Sequence, residues 1–177
     1  ETGKFKLDGG AMFGVVPKTI WSKTNPADEN NMCSWSMRCL LLEFNNRKIL
    51  IDTGIGNKQS DKFFQYFYLH GKDSLINSLI QKNISPDHIT DVFFTHLHFD
   101  HCGGAIITEK GKNQLLFKHA NHITNKTHWY IANNPNQREK ASFLKENFSL
   151  LEKENKLKFI SEGNLYDEIN VRFFHGH

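Results

Sequence analysis

Hydrophobic positions along the chain come in short blocks separated by polar turns. Ala11–Val16 is small and apolar between Asp8-Gly9-Gly10 and Pro17, which predicts a turn, a short strand and a stop. Ser22–Asn31 is polar and reads as a loop. Ser34–Phe44 reads as one strand, and Asn45-Asn46 after it suits a hairpin turn because Asn tolerates positive φ. Lys48–Asp52 is the return strand, running into Thr53-Gly54-Ile55-Gly56.

Beyond this hairpin the apolar period changes. Phe63, Phe64, Phe67 and Tyr68 recur at spacings of three and four, which predicts a helix over Gln59–Leu69 with its Phe face buried. Leu75/Leu79 and Ile76/Ile80 predict a second helix over Asp73–Lys82. Ser85-Pro86 is a helix-start signal, and the helix it opens must be short, because Asp91–Thr95 already reads as a buried strand. Further strands are expected at Gln114–Lys118, Leu157–Ile160 and Ile169–Phe174. Asn136 with Glu139 resembles a capping box, opening a helix that shows Phe143, Leu144, Phe148 and Leu151 on one side. Hairpins mixed with strand–helix alternation predict an α/β (α+β) fold, with mixed sheets and helices outside.

Composition narrows the class. The 177 residues are 38% hydrophobic and 23% charged, with 15 Phe, so the chain is neither disordered nor fibrous. No apolar run approaches the ~20 residues of a membrane span. The net charge of +3 is small and the Lys and Arg residues are scattered, so nucleic acid is not an expected partner. Cys33, Cys39 and Cys102 are odd in number and lack CxxC spacing, which speaks against a disulfide framework and for a reducing, cytoplasmic setting. The first residue is Glu1 rather than Met, so residues are expected upstream. Three N-x-S/T sequons, at Asn83, Asn125 and Asn147, are read as accidental.

Ten histidines are more than usual, and three fall within six residues: His96-x-His98-x-Asp100-His101. In an extended segment, side-chain direction repeats every two residues, so His96 and His98 project to one side and converge on one cation. Asp100 and His101 lie past the strand end and can face a second point a few Å away. Imidazole and carboxylate donors suit Zn²⁺ best, with Fe, Mn, Co or Ni as alternatives. Without a metal, such a group would need many satisfied hydrogen bonds. Asp52, ending the preceding strand, has two readings: a carboxylate that accepts a ligand histidine's other N–H, or a turn-forming cap. His177 and His175 compete for a third imidazole position. Cys102 reads as a small packed residue more than a soft ligand, and Trp21, Trp35 and Trp129 as core.

Asp52-Thr53-Gly54, then Thr95-His96-Leu97-His98-Phe99-Asp100-His101-Cys102-Gly103-Gly104, then Gly176-His177 resemble the metallo-β-lactamase-fold hydrolases. His-Leu-His-Phe-Asp-His followed by a small residue and Gly-Gly is most similar to the acyl-homoserine lactonase and methyl-parathion-hydrolase-like branch, as is the opening Leu7–Pro17. The resemblance implies an αββα sandwich forming a single domain over residues 1–177, with its C-terminal part beyond residue 177. It implies His96, His98 and His177 on one metal, and Asp100 and His101 on a second. It favours His177 over His175, and the orienting role for Asp52. It implies two Zn²⁺ per complete site, with a bridging Asp and a last His expected beyond residue 177. Cys102 stands where Ala is commoner in this branch.

The function expected from this is a metal-dependent hydrolase. A metal-activated hydroxide would cleave an ester, lactone or phosphotriester, with Asp100 orienting it and moving a proton. The expected partner is a small-molecule substrate, with no nucleic acid or membrane, and with homo-oligomers left open. The alternatives are an iron-dependent oxidoreductase of the same fold (persulfide dioxygenase-like), a nucleic-acid-processing member and a non-catalytic metal-binding domain.

Overall fold

The computed structural model describes residues 1–166 and 168–176. β1 (Gly3–Asp8) leads into α1 (Gly9–Phe13), α2 (Lys18–Trp21) and β2 (Met32–Met37), which pairs back antiparallel on β1. The predicted strand at Ala11–Val16 is therefore not one. Asp8 caps a helical turn, its Oδ1 accepting the Ala11 N–H at 3.1 Å. The Trp21 ring packs so close over Gly9 that a Cβ there would meet it at 2.4 Å. Gly-Gly is a poor helix former, and here the Trp21 contact overrides propensity.

The predicted strand Ser34–Phe44 is two. β2 ends at Met37, and β3 (Leu40–Phe44) joins a different sheet with β4 (Arg47–Ile51). The hairpin between β3 and β4 is as expected: Asn45 and Asn46 both take positive φ, 45° and 61°, as a tight primed turn requires. α3 (Asp61–Phe67) starts at Ser60, whose Oγ accepts the Phe63 N–H. α4 (Leu75–Ile80) turns Leu79 into the core and leaves Ile76 and Ile80 exposed. The short helix after Ser85 is a single 3₁₀ turn, Pro86–His88.

β5 (Asp91–Phe93) lies parallel between β4 and β8 (Asn121–Asn125). α5 (Phe99–Cys102) follows β5, and β6 (Ile106–Glu109) and β7 (Lys112–Leu115) form a hairpin about Lys110-Gly111. That pairing shifts the strand expected at Gln114–Lys118 towards the N-terminus, and frees Leu116 and Phe117 to enter the core. α6 (Lys126–Asn133) follows β8 directly. α7 (Ser149–Lys153), β9 (Leu157–Ile160), β10 (Gly163–Leu165) and β11 (Ile169–Val171) complete the described elements.

The central sheet has the order β3-β4-β5-β8-β9, parallel except for the first hairpin. α4, α6 and α7 supply Leu79, Trp129 and Leu151 to the main core cluster, with Leu50 and Val92 from the sheet. A smaller cluster joins Phe5, Met37, Ile55 and Phe99 to Phe63, Phe64 and Phe67 of α3. The mixed sheets and packed helices are the architecture expected from the sequence. No helix among the described residues is long and apolar enough to cross a membrane.

One predicted helix survives only at its end. Asn136 Oδ1 accepts the Glu139 N–H at 3.0 Å, as a cap should, yet 3₁₀ turns follow at Lys140–Ser142 and Lys145–Asn147, and only Leu151 of the expected stripe lies in an α-helix, α7. Phe143 belongs to the main cluster, while its neighbour Leu144 packs against the smaller one. Adjacent residues that serve two cores cannot share one helical stripe.

Candidate metal centre

The parallel ladder ends at Phe93, and the chain then runs irregularly to α5. Its peptide groups beyond the ladder are carried by side chains. The Thr95 N–H donates to Asp52 Oδ1 at 2.8 Å, and the Leu97 N–H to His128 Nε2 at 2.8 Å. The Cys102 thiol donates to the Leu97 carbonyl at 3.3 Å. This pairing satisfies backbone groups that the sheet no longer can.

Within that segment the sequence-predicted side chains gather. The rings of His96 and His98 lie 4.5 Å apart, and those of His96 and His101 3.9 Å. Asp100 Oδ2 is 3.6 Å from His101 Nε2. Asp52 Oδ2 accepts the Thr95 hydroxyl at 2.7 Å and the His101 Nδ1–H at 2.7 Å. Because the Thr95 proton is committed to Asp52, the contact of 3.1 Å between Thr95 Oγ1 and His96 Nδ1 runs the other way, with His96 donating. Both rings thus carry Nδ1–H when neutral, so the lone pair that could ligate a cation is on Nε2. Burial works to lower the His101 pKa, but the Asp52 hydrogen bond and the charges of Asp100 and Asp52 outweigh it and raise it.

Asp52 holds φ 60°, the left-handed region, at the end of β4. Its own N–H donates to Phe93 O at 2.9 Å, so both strand ends fix the carboxylate. The glycines of the two loops explain their own presence. A Cβ on Gly104 would sit 2.2 Å from Thr53 O, and one on Gly103 would sit 2.1 Å from Ile55 O. The Asp52–Gly56 loop and the Cys102–Gly104 turn therefore meet backbone to backbone, tied by Gly104 N–H to Gly54 O at 3.0 Å and by Thr53 N–H to His101 O at 2.7 Å. Lys58 Nζ donates to Gly103 O from a site where burial pushes its pKa down to about 8. Cys102 is fully buried, and burial raises its thiol pKa, so it is a packed residue.

Two cavities flank the motif. One, of about 530 Å³, is lined by His96, His98, His128, Glu139 and Arg172, and His175 reaches it too. The other, of about 250 Å³, is lined by Asp52, Asp100, His101, Met12, Trp35 and Arg38. His96 and His98 thus open to one side, and Asp100 and His101 to the other. The nitrogen and oxygen donors and their fixed tautomers fit a borderline cation such as Zn²⁺. Among the described residues, no three such side chains already close into a complete cage. His177, the expected third imidazole, lies outside the described residues.

The sequence reading missed Thr95, Lys58 and His128. Thr95 adjoins the motif, but its bonds to Asp52 and His96 are tertiary. Lys58 and His128 carry no local signal.

A family model described as the metallo-beta-lactamase superfamily matches residues 38–145, more than half of the chain. The chain belongs to the metallo-beta-lactamase superfamily. An N-acyl homoserine lactonase of Bacillus thuringiensis is 30% identical over 96 residues, which is 49% of this chain and 37% of the lactonase. The structure of a probable metal-dependent hydrolase from Staphylococcus aureus superposes with TM-score 0.82 at 33% identity, over 93% of this chain and 58% of that one. The fold is also that of AidC, a dizinc quorum-quenching lactonase (TM-score 0.67, 22% identity, 93% of this chain and 57% of that one). The chain thus spans little more than a third of the curated lactonase, and under three fifths of these solved structures.

Proposed function

We propose that this protein is a metal-dependent hydrolase acting on a small ester-like substrate, with a lactone favoured over aryl esters and phosphotriesters. The observation that carries the proposal is the convergence of His96, His98 and His101 with Asp100, held by Asp52 and Thr95, between two cavities. The preference for a lactone is supported by the N-acyl homoserine lactonases among the relatives.

In this reading His96 and His98 hold one cation together with His177, and Asp100 and His101 hold a second. Bound zinc would supply Lewis acidity and lower the pKa of a coordinated water. The chain's own residues do the rest. Asp52 keeps the proton of His101 on Nδ1, so that Nε2 is the ligating nitrogen. Thr95 does the same for His96. Asp100, 24% exposed at its side chain, can take a proton and pass it to a leaving alkoxide. The cavity beside Asp100 and His101 offers Met12 and Trp35 as apolar walls for a substrate's hydrocarbon part.

The test is metal analysis of the full-length protein, followed by hydrolysis assays with N-acyl homoserine lactones, aryl esters and a phosphotriester. Bound zinc, and lactone hydrolysis that is lost on chelation and regained with zinc, is the expected result. A metal-replete protein inactive on all three classes would defeat the reading.

A further inference from the structure

We infer that His128 is a positioning residue for the metal-binding pair His96 and His98, acting through the backbone of Leu97; this rests on the proposed function. The Leu97 peptide is the joint between the two imidazoles, and rotation about it swings one ring relative to the other. It is held on both sides. Its N–H donates to His128 Nε2 at 2.8 Å, and its carbonyl accepts the Cys102 thiol at 3.3 Å. Its side chain is fully buried.

His128 is itself firmly placed. It lies in the first turn of α6, where its own N–H donates to Asn125 Oδ1 at 2.7 Å. Trp129, the next residue, anchors the helix in the core. The His128 ring lies 5.7 Å from the Phe143 ring, which in turn meets His98 at 4.8 Å. His128 therefore reaches the pair by two routes, a hydrogen bond to the peptide between them and an aromatic wall shared with one of them. A spacer of the same shape would keep the wall but leave the Leu97 N–H, buried beyond the end of the ladder, without its acceptor. Metal ligands tolerate little more than about 0.5 Å of misplacement, so a loosened Leu97 should register first in the metal and only then in the fold.

The experiment uses full-length protein with His128→Phe, which keeps the shape and removes the acceptor, and His128→Gln, which keeps an acceptor. Zinc affinity is read by competition with a chromophoric chelator, and ligand geometry by the visible spectrum of the cobalt(II)-substituted protein. Unfolding of the metal-free form reports on packing and on the Leu97 hydrogen bond without the metal. The expected result is a 10- to 100-fold loss of zinc affinity and a shifted cobalt spectrum in His128→Phe. His128→Gln should recover most of both, and the metal-free His128→Phe should unfold only modestly below the metal-free His128→Gln, by no more than one unsatisfied buried N–H accounts for. Wild-type affinity and spectrum in His128→Phe would overturn the inference, as would equal losses in both variants. If His128→Phe does not fold, the imidazole ¹⁵N spectrum of the wild-type protein decides. An unprotonated Nε2 correlated with the Leu97 amide supports the inference, and a protonated or metal-bound Nε2 overturns it. Wild-type protein that takes up no zinc would instead overturn the proposed function.

Discussion

Asp52 shows what a single carboxylate does at this site. One oxygen takes the Thr95 N–H, and the other takes both the Thr95 hydroxyl and the His101 Nδ1–H. Asp52→Asn keeps the shape but offers an NH₂ group to two donors, so His101 must move its proton to Nε2, the nitrogen proposed to ligate. Zinc affinity and kcat/KM should each fall 10- to 100-fold, with the unfolding temperature little changed. Unaltered zinc affinity, measured by chelator competition, would remove Asp52 from the site. The sequence announces the histidines because their spacing is local, two residues apart on extended chain. It leaves Asp52 open, since a turn-capping Asp looks the same until Thr95 and His101 are seen around it. His128 is invisible there, because its bond to Leu97 joins residues 31 apart through the fold.

At the scale of elements, the loop after β4 and the turn after α5 work as one unit, and glycine makes it so. Gly104→Ala would place a methyl 2.2 Å from Thr53 O. The neighbour is backbone, which cannot rotate away, so the two segments must part and the Gly104–Gly54 hydrogen bond must stretch. A loss of about 1–3 kcal/mol is expected, read as a lower urea midpoint, with weaker zinc binding alongside. A wild-type midpoint would show that the loops do not need this approach. The hairpin at Asn45-Asn46 was legible because turn chemistry is local. The break at Arg38-Cys39 was not, because the residues on either side are strand-formers, and only the choice of partner, β1 or β4, separates them. The Phe143–Phe148 stretch ahead of α7 misled for a related reason. Its apolar spacing fits a helix, but its side chains divide between two cores.

For the molecule as a whole, acid should act through two buried groups in separate pH windows. His122 sits in β8 between Val92 and Leu157 in register, fully buried against Phe94. Burial pushes its pKa down to about 4, helped by the charge of Lys156. An unfolded chain binds this proton near pH 6.5, so the folded state loses ground as pH falls from about 6.5 towards 4. Between pH 7 and pH 5 the loss is about 2 kcal/mol. Asp91 acts lower. Burial alone would raise its pKa, but hydrogen bonds from Asn121, Tyr166 and Thr90, with the Arg47 charge, outweigh that and hold it down. Its contribution is present above the ordinary carboxylate pKa of about 3.9 and fades only below it. His122→Leu isolates the first window, because it fills a similar space without a proton to bind. Urea midpoints of the metal-free protein at pH 7 and pH 5 should converge in the variant by about 2 kcal/mol relative to wild type, while the further decline below pH 4 remains. The titration of His101 is common to both proteins and cancels in the comparison. An equal drop from pH 7 to pH 5 in both would mean that His122 is solvated or protonated in the folded core, and that the acid sensitivity of the fold lies elsewhere.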